Sequence, residues 1–146
     1  MKTKNLMFLL TSVLLSFRNG GGCATMNDQQ WIERLKSTPV AKIEAGLPEQ
    51  SFADWFAAQV NHSEPQYEAV PCPEQQGTCV KVSTTINVHR VEMVFLVATV
   101  DAAGNAKPID CQFLSGSYGP ADPRMKFPTR KLSKLSDLPK LLHGQN

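Results

Sequence analysis

The chain is poor in the residue groupings that most often carry chemistry. Its three histidines, His62, His89 and His143, stand singly, and none of its four cysteines has another within four residues. Zinc sites draw on close Cys and His pairs, so this spacing speaks against a metal site. No glycine-rich loop leads into a Lys-Ser or Lys-Thr phosphate step. Ser115 and Ser117 lie in Leu114-Ser115-Gly116-Ser117-Tyr118-Gly119, but neither has the flanking glycines of a nucleophile elbow. The expectation is a protein that is not an enzyme and uses no cofactor. A hydrolase built on Ser115 or Ser117, Cys111 and a histidine ranks only third among the functional readings.

Long apolar runs are also missing. The one stretch that stands out, Leu6 to Phe17, is about a dozen residues long, short of the about 20 a membrane helix needs. Lys2 and Lys4 precede it and small residues from Gly20 to Thr25 follow, the three-part layout of a secretory leader. The layout predicts a signal peptide over residues 1–24 and an exported domain over 25–146, periplasmic or secreted. Gly20-Gly21-Gly22-Cys23 resembles the bacterial lipoprotein pattern in its Gly before Cys, although Gly20 stands where a Leu-like residue belongs. Two readings therefore stay open: ordinary cleavage nearby, or a lipoprotein signal ending before Cys23, whose lipid would tether the chain to a membrane surface.

Charge of one sign is not in excess: fifteen basic residues face thirteen acids, and Lys2, Lys4 and Arg18 belong to the leader. The remainder is nearly neutral, which speaks against nucleic acid as a partner. The charge is segregated, however. Eight acids between Asp28 and Glu74 face only Arg34, Lys36 and Lys42, whereas the tail from about residue 124 carries Arg124, Lys126, Arg130, Lys131, Lys134 and Lys140 against Asp137. That tail reads as an amphipathic cover, a contact to an anionic membrane surface, or a site for an acidic partner, with Arg130 and Lys131 at its centre.

What remains is a pattern for one small domain. Asn27 to Ser37 reads as a helix with Trp31, Ile32 and Leu35 on one side, stopped before Pro39. Ser51 stands three before Asp54 as a capping-box variant, and Phe52, Trp55, Phe56 and Val60 recur at helical spacing behind it. From Tyr67 the period changes to 2. Tyr67 to Cys72, then Val80 to His89, then the apolar Val91 to Val100, then Lys107 to Leu114 read as four antiparallel strands in meander order. Alternation places Ile109, Cys111 and Phe113 on one face of the last strand. The apolar third strand calls for cover on both faces, and Leu132, Leu135, Leu138 and Leu141 are expected to cover the second face as turns interrupted by Pro139.

Cys72 and Cys79 flank the turn between two of these strands, so a disulfide there would fix the hairpin register, as expected for an exported chain. Parity puts Cys79 and Cys111 on opposite faces, leaving Cys111 a buried thiol; a Cys72–Cys111 bond or reduced thiols are the alternatives. The fold class expected is α+β, N-terminal helices packed on an antiparallel meander of about four strands. This order resembles cystatin-like and other small secreted inhibitor folds, a likeness of architecture that carries no motif and transfers no residue.

The function expected is a non-catalytic binding module, inhibitor-like or immunity-type, that docks another envelope or secreted protein. Ser115 to Pro123, with two serines, two glycines, two prolines and Tyr118, reads as the exposed recognition loop, so Ser115, Ser117 and Tyr118 are the candidate contacts. The same segment also reads as a plain connector with Tyr118 packed back on the sheet. The alternative function is an envelope assembly or scaffold lipoprotein anchored at Cys23.

Overall fold

Asn27 starts the first helix, α1 (Asp28–Ser37), by accepting a hydrogen bond from the Gln30 amide while the Gln30 side chain accepts from the Asn27 amide, a complete capping box. In this computed structural model, residues 26–61 and 63–144 are described; the predicted signal peptide, with Cys23, lies outside them. Pro39 ends α1, and a single turn, α2 (Val40–Ile43), follows. Ser51 caps α3 (Phe52–Gln59) through the Asp54 amide, as its spacing predicts. Among the described residues no helix is long and apolar enough to cross a membrane.

The sheet has five strands in simple meander order: β1 (Gln66–Pro71), β2 (Thr78–Ile86), β3 (His89–Val100), β4 (Ala106–Pro120) and β5 (Arg130–Leu132), all neighbours antiparallel. A last helix, α4 (Asp137–Leu142), closes the chain. The architecture is therefore α+β as expected, with one strand more, because three residues of the basic tail pair with the end of β4. Pro139 does not interrupt α4; it sits in the first turn, where its missing N–H has no intrahelical partner to lose.

One face of the sheet holds the core. Phe52 stacks on Phe56 at 5.6 Å and meets Phe95 of β3 edge-on at 4.8 Å, joining α3 to the central strand. Trp31 and Leu35 of α1, Val80 and Val82 of β2, and Val91 and Met93 of β3 are buried in the same cluster. Truncating a ring of this kind costs about 3–5 kcal/mol. Leu132, Leu135 and Leu138 also belong to this cluster, so the tail covers the face the helices cover, contrary to the expectation. The cause is β5: once paired with β4 it inherits the pleat of the sheet, and the pairing of Leu132 with Gly116 directs Leu132 to the helical side.

Irregularities in register move several side chains from where simple alternation puts them. Val94 pairs with Ser115 and Phe95 with Phe113, which leaves Leu114 as an extra residue in β4. A second slip between Leu96 and Ala98 turns Ile109 away from Cys111; Ile109 packs with the outer cluster and Cys111 with the core. Val88 is not a strand residue, since Asn87 and Val88 form the turn between Ile86 and His89 and leave Val88 46% exposed. Asn87 takes the left-handed conformation there, at φ 54°.

Candidate binding surface

Among the described residues the second face of the sheet carries no helix. Its apolar part is a small cluster at one end, Cys72, Cys79 and Leu96 with Val70, Val94 and Ile109 around them. Cys72 and Cys79 form a disulfide with their Cα atoms 4.9 Å apart, and Cys111 is a free, buried thiol whose pKa burial pushes up. The disulfide is compatible with an oxidising compartment. Gly77, at φ 138°, lets the disulfide loop lie directly against the Ala98 carbonyl, where any side chain would collide. This loop is the cover that makes Leu96 buried; Val94, two residues away on the same face, is only half-buried.

Beyond that cluster the outer face is polar and open. The register aligns Glu68, Lys81, Val94 and Ser115 in one row and Gln66, Ser83, Glu92, Ser117 and Lys131 in the next. Lys81 pairs with Glu68 at 2.8 Å, which raises the Lys81 pKa, and Arg90 pairs with Glu92 at 2.9 Å. Two hollows flank the rows. One, of about 380 Å³, lies between the disulfide loop and Leu114–Ser115; the other, of about 250 Å³, is bounded by Arg90, Glu92, Ser117 and Thr129. Leu114 is 39% exposed beside the first.

The residues singled out from sequence are therefore divided. Ser115, Ser117 and Lys131 share the outer face, and Arg130 is exposed at the sheet edge. Tyr118 lies on the opposite face, half-buried, stacked on His89 at 4.7 Å and packed against the core. Ser115 to Pro120 is strand, not loop, and its glycines serve packing. A Cβ on Gly116 would come within 3.0 Å of Leu132 Cβ, and one on Gly119 within 2.5 Å of Thr129 Oγ1, so both glycines make room for the tail.

No family model, curated protein or solved structure matches this chain. The sheet stands between Ser115 and Ser117 on one side and His89 on the other, so these serines and His89 cannot form a nucleophile–base pair in this arrangement. His89 is the first residue of β3. It is half-buried between Tyr118 and Phe127, its Nδ1 has no hydrogen-bond partner among the described residues, and it borders a hollow of about 330 Å³ with Asn61, Asn87 and His143. Cross-strand parity, which sets His89 and Tyr118 diagonally on one face, is the signal that would have found it, had the bulge at Leu114 been visible.

Proposed function

We propose that this chain is an exported, non-catalytic binding module whose open sheet face docks another secreted or envelope protein, in the manner of an inhibitor or immunity-type factor. The observation that carries the reading is the one-sided cover: among the described residues the helices and the tail pack on one face, and on the other only the disulfide loop covers one end. Four strands about 4.8 Å apart, each at least about 20 Å long, present about 400 Å², and the three residues of β5 add a short margin. The disulfide loop and the segment after β4 extend this toward the about 800 Å² that one partner contributes to a standard interface. The face mixes half-buried Val94 and exposed Leu114 with serines and paired charges, the composition of a separable interface.

The test is affinity capture by the full chain from envelope and secreted extracts, with Ser117→Arg as the control. Ser117 stands mid-face and away from the core, so the arginine blocks docking without disturbing packing. A stoichiometric enzyme that is retained by the native chain, lost with Ser117→Arg and inhibited when bound supports the proposal. Retention that ignores Ser117→Arg, or structural envelope components alone, refutes it in favour of a scaffold role.

A further inference from the structure

An antiparallel sheet in simple order has two edges, and here they are not alike. The β1 edge is bounded by Pro65 before it and Pro71 at its end, each without an N–H to offer. On the other side, α2 packs on β4, and Arg34 donates two hydrogen bonds, of 2.8 and 3.1 Å, to the Ile109 carbonyl. The part of β4 that β5 does not reach is thus partly covered. Among the described residues the edge of β5 stays open: it is last in the sheet order, and Thr129, Arg130 and Lys131 are exposed.

Around this edge the charge is uncompensated. Arg124 is bound to Asp122 and Lys140 to Asp137, but among the described residues Lys126, Arg130, Lys131 and Lys134 have no carboxylate within ion-pair distance. Lysine on an edge strand commonly blocks unwanted pairing. Several free cations on so short an edge exceed what blocking requires. A second copy added to β5 would set Arg130 and Lys131 against their own kind, which is repulsive. The hollow bounded by Ser117 and Thr129 lies beside the edge, sized for a side chain of an incoming strand.

Resting on the docking reading above, we infer that the β5 edge takes an acidic, extended segment of the partner protein as a sixth strand. The segment's carboxylates meet Arg130, Lys131 and Lys134, and its backbone pairs with the outward amides and carbonyls of β5.

Fluorescence anisotropy of the full chain with three labelled peptides tests this: Glu and Thr in alternating pairs (Glu-Glu-Thr-Thr), which sets carboxylates on both faces of a strand as Arg130 and Lys131 require, Lys and Thr in the same pattern, and the Glu–Thr peptide N-methylated at alternate residues. The Glu–Thr peptide binds, weakens about tenfold from about 0.05 to 0.3 M salt as screening lengths shorten, and is lost with Arg130→Glu/Lys131→Glu. The Lys–Thr peptide does not bind, and N-methylation on the pairing edge weakens binding at least about fivefold, because it removes ladder donors. Equal binding of the methylated peptide would reduce the contact to charge alone and overturn the sixth strand, as would indifference to the double substitution. Should no acidic peptide bind while capture remains sensitive to Ser117→Arg, this inference falls and the docking face stands. Peptide binding without any captured partner leaves the edge intact and removes the docking reading.

Discussion

Replacing Gly116 by alanine separates two accounts of the segment after Phe113 by the sign of the effect. Gly116 does not need a left-handed backbone, so alanine can adopt its conformation. In an exposed loop such a change stabilises by about 0.4–1 kcal/mol, because it restricts the unfolded chain. In the structure the new Cβ falls 2.9 Å from Phe113 Cζ and 3.0 Å from Leu132 Cβ. The Phe113 ring can tilt, but Leu132 Cβ is fixed to the backbone of β5, so relief requires β5 to move away from β4. Overpacking of this kind costs about 1–3 kcal/mol, which outweighs the entropic gain and leaves a net loss of about 1–2 kcal/mol. Gly116→Val adds two more methyl groups at the same place and should cost more.

Urea unfolding followed by tryptophan fluorescence measures this directly, since Trp31 and Trp55 are 2% and 3% exposed and report loss of the core. Destabilisation by Gly116→Ala that grows with Gly116→Val is the expected series. A rise in midpoint for alanine would refute the packing of β5 on β4, and with it the argument that Leu132 brings the tail onto the helical face.

Three further outcomes follow from the same structure. The Cys72–Cys79 bond spans a sequence separation of 7, for which loop closure is worth about 2.4 kcal/mol; reduction should lower the Tm by about 10 °C for a domain of this size, and no change would mean the hairpin persists in the unfolded chain. Burial, with repulsion from Glu33 second, pushes the Tyr67 pKa up to about 12, and its hydroxyl has no hydrogen-bond partner among the described residues. The folded state therefore keeps this proton between pH 10 and about 12 where the unfolded state loses it, so stability falls through that window and is unaffected below it; Tyr67→Phe should remove this contribution in pH-dependent unfolding. The Glu44 carboxylate accepts from the amide and hydroxyl of Ser136 at 3.2 and 2.5 Å, so Glu44→Ala should cost about 1.5 kcal/mol. Hydrogen exchange should accelerate in α4 before β3, and uniform acceleration would show that α4 is not held there.

Much of the fold was legible because its elements are locally consistent. The Ser51 cap, the aromatic repeat of α3, the alternation of β2 and the opposite parity of Cys79 and Cys111 all agree with the tertiary structure. The missing element was β5. Thr129 to Leu132 has no strand pattern of its own, and it pairs only because Gly116 and Gly119, ten or more residues earlier, leave space for it. Glycines that admit a neighbouring backbone have the same composition as glycines that make a turn, so the segment read as a loop.

The candidate site turns on a single residue in the same way. Were β3 and β4 paired without a bulge, the parity that buries Cys111 and Phe113 would also turn Ser115 and Ser117 inward and put Tyr118 on the outer face. The extra residue at Leu114 inverts that order: the serines face outward and Tyr118 goes to His89 and the core. The inversion is compatible with packing, because Gly116 rather than a serine then meets Leu132, and the Tyr118 ring fills space beside His89 that a serine would leave empty. A bulge therefore selects which half of the Ser115–Tyr118 segment is available to a partner, and it does so through core packing, a constraint that no local pattern around the serines records. Deleting Leu114 would restore the simple register at the expense of that packing, so loss of docking in such a variant should accompany loss of stability, whereas Ser117→Arg should abolish docking alone.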